Sequence, residues 1–169
     1  ESARRDPAAT CLEKRSLRER VDVSQVQVEP QQDRKRALAM KQADVCDHLG
    51  HPEDGLQALA EAYTLMEQHD ERWWEVEIHR LRGVLLLRQP GTPQAEAEAW
   101  LQRALDVARR QEAKSLELRA AMSLSRLWQQ QGKHAEAQEL LAPIYGWFTE
   151  GFDTPDLQGA KALLEELSG

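Results

Sequence analysis

The sequence predicts an all-α fold in which about three helical hairpins stack into a solenoid that a C-terminal helix caps. The 169-residue chain is rich in Ala, Leu, Gln, Glu and Arg and has only 5% aromatic residues, a composition typical of helices. Gly50, Gly91 and Gly132 recur at intervals of 41 residues, and a fixed period indicates a repeat architecture. Apolar residues on both sides of these glycines fall at steps of three and four, as on one face of a helix. Since one hairpin cannot bury its apolar face alone, the hairpins are expected to stack.

Residues 1–33 precede the predicted repeat domain, which spans residues 34–169. Their first twenty residues are highly charged, and "VDVSQVQVEP" alternates valine with polar residues. Such alternation permits a short strand, and the stretch equally fits a flexible linker. Residues 1–33 are therefore predicted to be an N-terminal extension or linker.

The predicted helices lie on either side of each recurring glycine. Those before the glycines cover about 34–49, 71–87 and 114–131, and those after them cover about 52–66, 93–110 and 134–148. Each glycine is expected to adopt the left-handed conformation that closes a helix C-terminus. Thr92, between the predicted helices 71–87 and 93–110, is the expected N-cap of helix 93–110.

A last helix, 155–167, is predicted to begin at Thr154-Pro155 and to occupy the place of a fourth repeat's first helix. Its expected inner face comprises Leu157, Ala160, Leu164 and Leu167.

The helix after each glycine carries a small residue, a large apolar residue four positions on, and a small residue three further. The sets are Gly55, Leu59 and Ala62; Ala97, Leu101 and Ala104; and Ala137, Leu141 and Ile144, the last departing from the small-residue preference. The pattern resembles the tetratricopeptide repeat (TPR) family, with a period longer than the usual ~34 residues. The resemblance implies a right-handed superhelix whose concave side is lined by the first helix of each hairpin.

Two stretches extend the resemblance. "ERWWEVEIHRLRGVLLL" and "AKSLELRAAMSLSRLWQQQGKHAEAQELLAPIYGWFTEGFDTPDLQGAKALLEEL" are similar to the C-terminal repeat region of large bacterial signalling proteins. Those proteins join a class III adenylate or guanylate cyclase to a predicted ATPase and then to TPRs. The similarity implies a non-catalytic regulatory scaffold that contacts a protein or peptide partner, or other domains of its own full-length chain. No catalytic residue of the cyclase or the ATPase is carried over.

The inward positions that the resemblance implies form a candidate protein-binding concave face. They are Met40, Lys41, Asp44, Glu77, Arg80, Val84, Arg119, Met122 and Arg126. One TPR subgroup holds a peptide's terminal carboxylate with Asn and Lys side chains, and this chain contains no Asn. Beside this face, Trp73 is a candidate exposed anchor, because Trp74 continues the apolar face and adjacent helical residues cannot both point inward.

Charge and composition argue against several kinds of partner. A net charge of −7, from 29 acidic and 22 basic residues, disfavours binding to a phosphate backbone, although a helical-repeat nucleic-acid binder stays an alternative. No stretch approaches the ~20 apolar residues that span a bilayer, so no membrane is expected. Two cysteines are too few for a disulfide framework, which predicts a cytoplasmic protein.

Two motifs with chemical potential have plainer interpretations. A phosphate loop needs G-x-x-x-x-G-K-[ST], and around Gly132-Lys133 the flanking positions are Leu127 and His134, so a turn is predicted instead. Cys46, His48 and His51 make a metal-dependent sensor a further alternative, but Cys46 and His48 point about 200° apart on a helix. No cofactor, metal site or enzymatic activity is therefore predicted.

Overall fold

Helices make up all the regular structure in the residues that the computed structural model describes, which are 39–43, 46, 50–69 and 72–169. This confirms the all-α class. The helices are α1 (Pro52–His69), α2 (Glu75–Arg88), α3 (Gln94–Arg110), α4 (Lys114–Gln130), α5 (His134–Tyr145) and α6 (Pro155–Leu167). A single 3-10 turn, Arg72–Trp74, leads into α2, and residues 39–43 and 46 are helical before α1. The predicted N-terminal extension, 1–33, lies outside the described residues.

Each helix packs on the next one along the chain, from α1 through α6. In addition, α2 contacts α4, and α4 contacts α6. Helices α2, α4 and α6 therefore lie side by side and share one side of the array. The small-large-small residues of α1, α3 and α5 are all buried, with Ala62, Leu101 and Ala137 fully enclosed.

The apolar core divides into two clusters of buried residues. The first cluster joins Met40 and Ala43 to α1 and to the Ile78, Leu81 and Leu85 face of α2. The second joins Val76 of α2 to α3, α4, α5 and α6. Helix α2 therefore contributes to both clusters from different faces.

Glycine closes two of the predicted turns by the expected mechanism. Gly50 and Gly132 both have φ of +76°, and the amide that follows each one donates to a carbonyl five residues earlier, His51 to Cys46 and Lys133 to Trp128. This is the hydrogen bond of a Schellman helix end.

The turn at Gly91 has another form. Pro90 cannot continue a helix, and the preceding Gln89 is extended, with ψ of 122°, as residues before proline usually are. Gly91, with φ of +83°, then occupies the third position of a tight turn that the Thr92 amide closes on the Gln89 carbonyl. Thr92 is consequently not the N-cap of α3; Pro93 is.

Two predicted details of the C-terminal part are wrong. Helix α5 ends at Tyr145 and not at Phe148, because the Trp147 and Phe148 amides bond three residues back and tighten the last turn. On the inner face of α6, the fully packed position is Leu163 and not the predicted Leu164, which is half-buried. A helical period of 3.6 residues does not by itself decide which of two adjacent residues faces the core. The predicted bounds of this helix, 155–167, are confirmed.

Among the described residues, no helix combines the length and the apolar character that crossing a bilayer requires.

Candidate functional site

A groove of about 400 Å³ opens on the side of the array that α2, α4 and α6 share. Residues of the segment before α1 also line it. We call this cavity the inner groove and define it by its lining: Met40, Lys41, Trp74, Glu77, Arg80, Leu81, Arg119, Met122, Ser123, Arg126 and Asp156. The site is thus assembled from four separate parts of the chain.

Seven of the nine residues predicted for the concave face line the inner groove together: Met40, Lys41, Glu77, Arg80, Arg119, Met122 and Arg126. Val84 does not line it, because its half-buried side chain packs against the second core cluster. Asp44 lies outside the described residues, as does the side chain of Trp73. That the seven residues bind a protein stays a prediction.

Four residues of the groove were not predicted. Trp74, at the end of the 3-10 turn, and Leu81 on α2 lie on the apolar face that the periodicity assigns to the core, and both contact the core and line the groove. Ser123 lies one helical turn after Arg119, a spacing that would have identified it. Asp156 comes from the capping helix, and only the contact of α4 with α6 brings it to the groove.

Ion pairs connect the three helices across the groove. The guanidinium of Arg80 donates twice to Glu77 of the same helix, with Nε to Oε2 at 3.0 Å and Nη2 to Oε1 at 2.6 Å. Arg119 on α4 lies 3.8 Å from the same Glu77 carboxylate and donates from Nε to Asp156 on α6 at 2.7 Å. Positive and negative charges therefore alternate from α2 through α4 to α6.

Ser123 adds a neutral link to this network. Its hydroxyl donates to the Arg119 carbonyl at 3.1 Å and accepts a long hydrogen bond of 3.5 Å from Nη1 of Arg80. The planar guanidinium of Arg80 is thereby held at two edges, which fixes its orientation in the groove wall.

Two cations of the groove differ from these. Lys41 and Arg126 are exposed, and neither has an ion pair or hydrogen bond with any residue in the described part of the chain. Within the described residues, no carboxylate pairs with either charge.

Apolar side chains form part of the groove surface. Met40 and Met122 are largely buried yet reach the cavity, beside half-buried Trp74. Methionine is flexible and polarizable, so it adapts to differently shaped ligands. Helix α6 approaches this surface closely, since a Cβ added at Gly159 would lie 3.0 Å from Cε of Met122.

A second cavity of about 460 Å³ adjoins the inner groove and shares Trp74, Glu77 and Arg119 with it. Its remaining wall comes from the turn between α3 and α4 and from the start of α4, including Ala113 and Leu116. A ligand longer than one cavity could thus continue past Trp74 along the same surface.

A polar cluster lies apart from the groove, around buried His79 on α2 and half-buried Trp100 on α3. The two rings are 5.2 Å apart, and the guanidinium groups of Arg82 and Arg103 lie 4.3 Å and 4.9 Å from the centre of the Trp100 ring. His79 is 2% exposed, and its Nδ1 has no hydrogen-bond partner among the described residues. Burial lowers the pKa of His79 below 6.5, although Glu75, 3.7 Å away, opposes that shift.

Glu117 is a buried carboxylate at the start of α4. It accepts hydrogen bonds from Lys114 at 2.7 Å and Arg109 at 3.1 Å. Burial alone would raise its pKa, but these two cations outweigh burial, so the pKa of Glu117 lies below 4.5.

The remaining candidate motifs are placed as follows. Gly132 and Lys133 lie in the exposed turn between α4 and α5, as the turn interpretation predicts. Cys46 is half-buried and His51 exposed, whereas His48 lies outside the described residues. Within the described part of the chain, no three His, Cys, Asp or Glu side chains are grouped as metal ligands.

A scan against protein-family models, a search of curated proteins and a search of solved structures each found no match to this chain. The resemblance to tetratricopeptide repeats accordingly stays a prediction.

Proposed function

We propose that this chain is a non-catalytic, TPR-like scaffold that holds a segment of a partner protein in the inner groove. In this proposal the hairpins form a right-handed superhelix with the groove on its concave side. The partner is a separate protein or another domain of a longer chain that contains this one.

The packing of the helices supports the TPR-like arrangement. In a solenoid of hairpins, each first helix contacts the first helix of the next hairpin. Helices α2, α4 and α6 have this relation, and the small residues Ala97 and Ala104 of α3 are fully buried, as a close helix crossing requires.

A single observation carries the binding role. Seven residues chosen only for their position in the repeat line one groove, although they come from three separate segments of the chain. A groove across several helices, with methionine and arginine on its walls, suits a helix or an extended segment of a protein.

The state of the groove carboxylates supports binding over acid-base chemistry. Glu77 accepts hydrogen bonds from Arg80 within α2, and Asp156 accepts one from Arg119 on the neighbouring helix α4. Arg119 also lies 3.8 Å from Glu77, so it connects α4 to α2 as well as to α6. A general base needs a carboxylate that is free to take a proton from a substrate. Glu77 and Asp156 are instead held by arginines as part of the groove walls.

The regulatory part of the proposal rests on the resemblance to cyclase-ATPase signalling proteins. A repeat region that binds a partner can change the activity of a module to which it is joined. The proposal therefore assigns to this chain control of an attached cyclase or ATPase.

Site-specific photocrosslinking in the cells that make the protein tests the binding role. A photoreactive residue in place of Arg126 should give a defined adduct with a partner protein or with another domain of the same chain. The matched control places the same residue at Arg110, which is exposed at the end of α3 and does not line the groove. Equal adducts at both positions would contradict the proposal.

Deleting residues 34–169 from the longer protein should change nucleotide turnover, and unchanged turnover would contradict the regulatory part.

A further inference from the structure

The inner groove has the opposite charge from the chain that forms it. The whole sequence carries a net charge of −7. Among the groove residues, Lys41, Arg80, Arg119 and Arg126 outnumber the acidic Glu77 and Asp156. The excess stays positive even if Asp44, predicted for the same face, is counted with them.

The excess positive charge is concentrated at two positions. Arg80 and Arg119 are engaged by Glu77 and Asp156, so their charges are largely balanced within the wall. Lys41 and Arg126 have no partner in the described part of the chain. A ligand that enters the groove therefore meets two uncompensated cations, one on the segment before α1 and one on α4.

Apolar surface lies beside each of these cations. Met40 precedes Lys41 in the chain, and Met122 is one helical turn before Arg126 on α4, a spacing that places both side chains on the same face. An occupant that matches this arrangement carries carboxylates with an apolar side chain beside them.

We propose that the occupant of the inner groove is an acidic segment of a partner protein, with an apolar residue beside its carboxylates. The inference rests on the proposed function and specifies the chemistry of the partner. The carboxylates pair with Lys41 and Arg126, and the apolar side chain packs on Met40 and Met122.

A protein segment fits the groove better than a nucleic acid. Glu77 and Asp156 lie among the cations and repel a continuous line of phosphates, whereas carboxylates spaced along a peptide can avoid them. Among the described residues that line the groove, Trp74 is the one aromatic side chain, whereas single-stranded nucleic acids are usually held on several stacked aromatic rings.

Selection from a displayed library of random peptides about twelve residues long tests the inference on the full 169-residue chain. The enriched peptides should be acidic and should contain an apolar residue next to the acidic ones. Fluorescence anisotropy then gives their dissociation constants. Arg126→Glu and Lys41→Glu should each weaken binding on the order of tenfold, since attraction becomes repulsion. The effect should diminish with added salt.

Matched controls are available for both variants. Arg110→Glu and Lys133→Glu make the same charge changes at exposed positions outside the groove and should leave binding within about twofold of the parent chain. Circular dichroism should show the same helix content in all four variants, because each altered side chain is exposed.

The outcomes separate the inference from the proposed function. Neutral or basic peptides whose binding still depends on groove residues would overturn the acidic partner and leave the scaffold in place. Peptides insensitive to both groove variants, or a library that yields no peptide, would overturn both. A random-sequence single-stranded oligonucleotide that binds more tightly than the best peptide, and loses affinity in Arg126→Glu, would also overturn both.

Discussion

The substitution Gly83→Ala should destabilise the protein, because α2 and α3 cross without room for a side chain at this position. A Cβ at Gly83 would lie 2.7 Å from Cγ and 2.9 Å from Cδ2 of Leu101, and 3.1 Å from the backbone oxygen of Ala97. Leu101 is fully buried and Ala97 is part of the α3 backbone, so neither contact can relax cheaply.

The magnitude follows from two opposing terms. Replacing glycine by alanine inside a helix gains about 1 kcal/mol from helix propensity. Overpacking a filled core costs about 1–3 kcal/mol, and contacts this short to a branched carbon and a backbone atom belong at the upper end. We expect a net loss of about 1–2 kcal/mol in the free energy of unfolding. For a domain of this size that corresponds to a drop of roughly 2–8 °C in Tm.

Gly159→Ala is the matched control. It makes the same change inside α6, but the nearest atom is Cε at the tip of the flexible Met122 side chain, 3.0 Å away. Met122 can move into the open groove, so this variant should gain about 0.5–1 kcal/mol. Urea unfolding followed by circular dichroism compares the two. A Gly83→Ala variant as stable as Gly159→Ala would refute the argument from the α2–α3 spacing.

The other predictions concern turns and pH. Glu112 has φ of +54°, a left-handed conformation that is unfavourable for a residue with a side chain. Glu112→Gly should therefore raise the free energy of unfolding, measured by urea unfolding, by about 0.5–1 kcal/mol. A less stable variant would contradict the strain at this position. Gly132→Val should cost about 1 kcal/mol or more in the free energy of unfolding, whereas Lys133→Ala should change stability little. The parent chain should bind no nucleotide; similar losses in both variants, together with nucleotide binding by the parent chain, would contradict the turn assignment. Because the pKa of His79 is lowered on folding, the unfolded chain binds more protons below pH 6.5, and Tm should fall as the pH decreases from there; His79→Gln should flatten this dependence. Glu117 contributes stability above pH 4.5 that is lost as the pH falls further, so Glu117→Gln should lower Tm at pH 7 more than at pH 3.

Local signals in the sequence predicted the helices well and their turns only in part. Gly50 and Gly132 mark their turns because a left-handed helix end favours glycine. The turn between α3 and α4 needs the same conformation at Glu112, and the Ala113 amide closes it on the Ala108 carbonyl. Because glutamate does not favour a left-handed conformation, no residue type in the sequence marks this turn.

Groove residues that are set by their position in the repeat could be predicted from the sequence. Groove residues that depend on contacts between distant segments could not. Arg119, Met122 and Arg126 follow from the face of one helix. Asp156 reaches the groove only because α6 packs on α4, 37 residues from its partner Arg119. Trp74 shows a further limit, since a residue at the edge of the apolar face can serve the core and the groove together.

The division of the core into two clusters has a mechanical consequence for binding. Met40 belongs to the first cluster and Met122 to the second, and α2 connects the clusters within the chain. In a linear array, each module can open without the whole chain unfolding. A partner segment bound to both Lys41 and Arg126 would link the two clusters from outside. The part of the chain that forms the first cluster could then open only after the partner is released.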